Sequence, residues 1–133
     1  MSRVRITVAH RRRPGLMASL DRAVARAVRA GAEDVRATAR DLLNEPGGGR
    51  PSAPGAPPHR QTGQLHDSVF VRSAGDGLRA EVGTDLDHGA HLEFGTQAMP
   101  ARPWLLPAFE VAKPRIKARI ARAVRDALRR GPQ

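Results

Sequence analysis

His88–Phe109, HGAHLEFGTQAMPARPWLLPAF, is the stretch around which the chain is organised. It holds three of the four aromatic side chains, Phe94, Trp104 and Phe109. The segment from His88 to Phe94 reads as a strand or a short helix and leads into Gly95-Thr96. Gly95 permits a sharp turn, because without a Cβ it takes positive φ at no steric cost. Met99-Pro100-Ala101-Arg102-Pro103 then forces an extended path. Each proline fixes its own φ and drives its predecessor out of the helical region. Pro107 suits the first turn of a helix, where a missing N–H is no loss. Gly95, Pro100 and Pro103 are therefore structural turn residues.

On the C-terminal side, a helix is expected from Trp104 or Pro107 to about Leu128. Ile116, Ile120, Val124 and Leu128 recur every fourth residue, with Phe109 in phase and arginines on the polar side. Pro114 falls inside this run and should clash with the Glu110 carbonyl, giving a kink or a short break. On the N-terminal side, Leu65–Arg72 and Leu78–Gly83 read as a hairpin joined by Ala74-Gly75-Asp76-Gly77. Leu78, Ala80 and Val82 would face the core, with Arg79 and Glu81 opposite.

Near the N-terminus, Arg3-Val4-Arg5-Ile6-Thr7-Val8 alternates as a half-buried strand does. A long helix is expected over Leu16–Leu43. Leu16, Leu20, Val24 and Val28 begin an apolar stripe, and Ala32, Val35, Ala39 and Leu42 continue it. The stripe is thin and alanine-rich, which lets another backbone approach closely. Gly31 is a weak point where the helix could bend. Asn44 can cap the helix before Pro46 stops it. The fold class is thus α+β: a small antiparallel sheet packed by one long helix in the N-terminal half and one C-terminal helix.

Residues 44–62 form a long Gly/Pro-rich loop. Nine of its 19 residues are Gly or Pro, so no regular structure runs through it. With no hydrophobic anchor, the loop is expected to be mobile in a free subunit and to order on assembly. At 133 residues the chain is expected to be one domain, residues 1–133. No apolar run approaches the ~20 residues of a membrane span, and no apolar signal core follows the first arginines. With no cysteine, disulfides, zinc-thiolate sites and thiol catalysis are excluded.

The net charge of +10 is unevenly placed. Residues 1–50 carry 11 basic and 5 acidic side chains, residues 51–109 carry 4 and 6, and residues 110–133 carry 8 and 2. The basic ends fit either a surface facing nucleic acid or simply solvated helix faces in an arginine-rich chain, with 21 Arg and 2 Lys.

Few residues suggest chemistry. Asp85, Asp87, His88, His91 and Glu93 lie within nine residues, and His88-x-x-His91 would suit metal ligation on one helical turn. H-E-x-x-H is absent, and a polar turn explains the cluster equally well. Ser68 with His66 or Ser73 with His91 lacks a G-x-S-x-G elbow. Gly47-Gly48-Gly49 lacks the Lys-Ser/Thr of a phosphate loop. No enzyme activity, cofactor or metal is expected. Trp104 admits two readings, a core residue under the hairpin or an interface anchor. Arg102 is either solvated or part of that anchor.

Glu93-Phe94-Gly95-Thr96, followed by Met99-Pro100-Ala101-Arg102-Pro103-Trp104-Leu105 and Pro107-Ala108, resembles the gene-product-ten-like tail-component or neck proteins of long-tailed phages. Gln61-Thr62-Gly63-Gln64-Leu65-His66-Asp67-Ser68-Val69 is similar to that family's T-G-x-L-x-x-S element. The two motifs cover about a quarter of the chain. His88 stands where the family usually has tyrosine, and Trp104 where it usually has phenylalanine. The resemblance implies a virion structural protein, assembled in the host cytoplasm, at the head–tail junction or proximal tail end. It would be a connector, neck or tail-completion subunit in a homo-oligomeric, hexameric ring. Its partners would be neighbouring connector and tail-tube proteins, with DNA in the channel and no membrane. The alternatives are a tail terminator capping the tail tube, a DNA-binding module, and a metal-dependent hydrolase. Candidate interface residues are Glu93, Phe94, Thr96, Arg102 and Trp104 around the first motif, with Arg50 and Arg60 in the loop.

Overall fold

The computed structural model describes residues 2–7, 18–44, 52–58 and 63–130. The elements in chain order are β1 (Ser2–Thr7), α1 (Ala18–Leu42), α2 (Gln64–Ser68), β2 (Phe70–Ala74), β3 (Arg79–Thr84), α3 (Asp87–Phe94) and α4 (Leu105–Arg130). The architecture is α+β. The sheet has the order β1-β3-β2 with both pairings antiparallel, so β3 is central.

The register separates the two faces of the sheet. Val4, Val82 and Val71 stand abreast, as do Ile6, Ala80 and Ser73. Ala80 and Val82 are completely buried in the core that α1 and α4 complete. On the other face Arg5, Glu81 and Arg72 stand abreast. Arg5 bonds Glu81 at 2.7 Å, and Arg72 reaches Asp85 at 2.6 Å while lying over the Phe70 ring. Alternation with period two therefore puts apolar groups inward and an ion-pair row outward. The turn before β3 uses Gly75 and Gly77 at positive φ, and Asp76 accepts a bond from the Leu78 N–H.

The Leu65–Arg72 stretch departs from the hairpin expectation. Residues 64–68 form a helical turn instead, and the strand begins only at Phe70. Gly63, at φ 82°, turns the chain into α2, and the Ser68 hydroxyl donates to the Leu65 carbonyl. Local side-chain bonding of this kind competes with strand pairing. Two arginines of α1 close the far end: Arg36 Nε donates to the Val69 carbonyl at 3.0 Å and Arg40 Nε to that of His66 at 3.3 Å. The segment left open between strand and helix, His88–Phe94, is helix α3.

The α1 stripe buries Val24, Val28, Ala32, Val35 and Ala39. Helix α1 runs unbroken through Gly31. Gly31 is a point of close approach to α4: a Cβ there would lie 3.1 Å from both Ile116 Cγ1 and Cγ2. Nearby, Arg119 of α4 pairs with Asp34 of α1 at 2.9 Å.

Helix α4 also runs unbroken, with Pro114 inside it. Pro114 lies on the exposed side, where the Glu110 carbonyl it cannot bond can turn to water. The fourfold apolar repeat drifts out of the core. Ile116 is buried and Ile120 and Val124 half-buried, whereas Leu128 is 64% exposed. Each four-residue step advances about 40° beyond a full turn at 3.6 residues per turn, so a strict repeat rotates away. Ala108, Ala112 and Ala127 fill the buried face instead. Among the described residues no helix is long and apolar enough to cross a membrane.

Candidate functional site

The two sequence motifs meet where α3 joins α4. Trp104 has no exposed surface and lies in the core. Its indole Nε1 donates to the Gly89 carbonyl at 3.0 Å. Its backbone N–H, with those of Leu105 and Leu106, points at one buried side chain, Glu93. Glu93 Oε2 accepts from Trp104 N at 2.7 Å and Leu105 N at 3.0 Å, and Oε1 accepts from Leu106 N at 2.8 Å. These are donors that a helix start leaves unsatisfied. A carboxylate there is favoured twice, by charge-assisted bonds and by the positive end of the helix dipole.

The turn between the helices makes this geometry possible. Gly95 has φ 75°, and its N–H ends α3 by bonding the His91 carbonyl at 2.8 Å. A Cβ there would sit 2.9 Å from Ala101 N and 3.0 Å from Met99 O. Thr96 and Met99 exchange backbone bonds, and the Thr96 hydroxyl accepts from Ala98 N. Pro100 and Pro103 flank Arg102, whose N–H bonds the Leu92 carbonyl at 2.6 Å. The Arg102 guanidinium Nε donates to the Ser52 carbonyl at 2.9 Å, and Gly55 N donates to Ala101 O at 2.9 Å. Part of the long loop is thus tied down by polar bonds, although it lacks a large apolar anchor.

The second motif reaches the same place from the other side. Ser68 and Thr84 share a hydroxyl–hydroxyl bond at 2.7 Å, and Thr84 accepts from Leu86 N. The hub is Gly89. A Cβ there would stand 2.4 Å from Thr84 Cγ2, 3.1 Å from Leu65 Cδ1 and 3.3 Å from Trp104 Cζ2. Gly89→Ala is expected to destabilise the subunit by about 1–3 kcal/mol through overpacking, read as a lower thermal midpoint. An unchanged midpoint would show that α3 does not pack this closely.

The remaining candidates lie apart. Phe94, at the end of α3, is 74% exposed. Arg50 and Arg60 lie outside the described residues, as do the rest of the 45–51 and 59–62 loop segments, Val8 and Leu16. His88, His91, Asp85 and Asp87 are exposed, and Asp85 is engaged by Arg72. Among the described residues no three His, Cys, Asp or Glu side chains are grouped to hold a metal ion.

Glu93 was legible only as a polar residue in a motif. A capping box places its acid three residues into the helix it caps, whereas Glu93 lies 12 residues before the first residue of α4, Leu105. Gly89, Thr84, Arg36 and Arg40 also escaped the sequence, because their partners are distant in the chain.

The chain belongs to a family of bacteriophage tail components: the family model described as "Bacteriophage HK97-gp10, putative tail-component" matches residues 16–95. The match takes in α1, α2, β2, β3 and α3 and ends at Gly95. It contains the Thr62–Ser68 and Glu93-Phe94-Gly95 motif residues but not Met99–Pro107. The protein is accordingly a structural, virion-associated component of the phage tail. No curated protein and no solved structure matches the chain significantly.

Proposed function

We propose that the protein is a ring-forming subunit at the head–tail junction or the proximal end of the tail, where it joins or completes the tail. Membership of the tail-component family carries this reading. A head-to-tail contact between identical subunits generates a ring where its rotation closes, and six copies are what the family resemblance implies. Phe94 supports a contact beside the α3–α4 junction, since it is a large apolar side chain left 74% exposed on an otherwise internally bonded motif. Thr96, two residues on, and Arg102, whose N–H bonds the Leu92 carbonyl of α3, are further contact candidates, as are Arg50 and Arg60 of the 44–62 loop. The subunit acts as one domain and by assembly rather than catalysis, with neighbouring connector and tail-tube proteins as partners.

Imaging intact particles tests the proposal. The expected result is a ring of this protein at the neck or tail top, and its absence from mature virions would sink the structural reading. A ring closing the tube end before head joining would identify a tail terminator, the neighbouring reading in the same class. Phe94→Ala is expected to leave the melting of the isolated subunit unchanged while lowering its incorporation into particles. Normal incorporation would remove Phe94 from the interface.

A further inference from the structure

We infer that the exposed face of α4 is a docking surface for the phosphate backbone of duplex DNA, contacted without reading its sequence. The arginines of the fold divide into engaged and unengaged sets. Arg3, Arg5 and Arg72 are spent on Glu81 and Asp85, Arg36 and Arg40 on the Val69 and His66 carbonyls at the end of α2, and Arg102 on Ser52. On α4, Arg119 is spent on Asp34. Arg115, Arg122, Arg125 and Arg129 are all exposed, and none has an ion-pair or hydrogen-bond partner among the described residues.

These four side chains share one face. Arg115, Arg122 and Arg129 are seven residues apart, and a seven-residue step drifts only about 20° around a straight helix. They make a row of about 21 Å at the ~1.5 Å rise per residue, with Arg125 beside it. The row lies roughly a third of a turn around the helix from the strip of Ala112, Ile116 and Ala127 that faces the core. Ala118 and Ala121 between the arginines are exposed and short, so nothing bulky keeps a backbone at a distance. The acidic side chains of α4 are Glu110, before the row, and Asp126, half-buried at its inner margin.

Such a row is complementary to a regular polyanion. Duplex DNA carries one charge per ~1.7 Å of its axis, and guanidinium groups bind phosphate bidentately. A row of guanidinium groups along one straight helix face tracks the evenly spaced phosphates, which every sequence presents alike, so the contact is with the backbone. The inference is independent of the ring proposal, because it concerns the isolated chain.

The test is salt-titrated binding of a 20-base-pair duplex to the purified full chain. Each phosphate contact contributes roughly 0.9 to the slope of log affinity against log salt. A triple Arg115→Gln, Arg122→Gln, Arg129→Gln variant is therefore expected to flatten the slope by about 2 to 3. A control removing the same charge elsewhere, Arg22→Gln, Arg26→Gln, Arg79→Gln, should keep the slope. The corresponding triple lysine variant on α4 should also keep it, and Arg122→Gln alone should show about one third of the triple's flattening, which guards against misfolding of the glutamine triple. Polyglutamate serves as a competitor of matched charge. The inference is overturned by no binding at low salt, by equal losses in the two glutamine triples, or by polyglutamate binding as tightly through the same arginines, which would make the partner an acidic protein surface.

Discussion

Trp104→Ala is expected to destabilise the isolated subunit by about 3–5 kcal/mol, the range for large-to-small changes at filled core positions. The indole has no exposed surface and stands among Gly89, Leu105 and the core, so its removal leaves a void that the surrounding helices cannot easily close. The change also removes the indole N–H that donates to the Gly89 carbonyl at 3.0 Å. Trp104→Phe isolates that second part. It keeps most of the apolar volume and gives up the bond, for a cost of about 1 kcal/mol. Chemical denaturation of the three proteins, compared at constant m-value, checks the pair. Equal stability of Trp104→Ala and the parent would show that the side chain does not pack in the subunit.

The second large effect belongs to Glu93. Glu93→Ala leaves the Trp104, Leu105 and Leu106 N–H groups without their acceptor at the start of α4. Hydrogen bonds to charged groups contribute about 1.5–3 kcal/mol, and an unsatisfied buried donor adds to the loss, so roughly 3–4 kcal/mol is expected. Water can recover part of this at Leu106, which is exposed. Glu93→Gln retains one acceptor oxygen but turns an NH2 toward N–H donors, and should recover less than half. Glu93→Asp is one methylene shorter and should behave nearer to alanine. Hydrogen exchange at the three amides gives a local readout: protection should fall there first. Loss of global stability with unchanged protection at 104–106 would contradict the capping role.

Much of the scaffold was legible because it is written in local periodicity. Val4 and Ile6 alternate, Val24 and Val28 recur with helical spacing, and Ala74-Gly75-Asp76-Gly77 is turn chemistry, so β1, α1 and the β2–β3 hairpin follow from neighbours alone. The failures are equally physical. Leu65–Ser68, expected to continue the strand of Phe70–Arg72, turns helical because Gly63, the Ser68 hydroxyl and two distant arginines satisfy its backbone. Leu128 kept the apolar spacing yet faces solvent, because a fourfold repeat outruns a 3.6-residue helix. In the candidate site, the sharp turn at Gly95 and the extended path through Pro100 and Pro103 were readable from φ preferences. The union of Glu93 with three amides and of Trp104 with Gly89 was not. Those contacts span 11 to 15 positions across an irregular segment, and no sequence period encodes them.

The bond between Glu93 and the start of α4 limits how the chain can be cut. The family match stops at Gly95, which suggests a convenient fragment. That fragment would retain a carboxylate placed to meet three amides and lose all of them. It would also lose Trp104 from above Gly89, and Ile116 from its seat on Gly31. At the other end it would lack β1, and β3 would exchange a paired neighbour for a bare edge. The 16–95 segment is therefore not expected to be a unit of folding. Expressed alone, it should be recovered as an aggregate or an unfolded chain, and a soluble, cooperatively melting fragment would refute that.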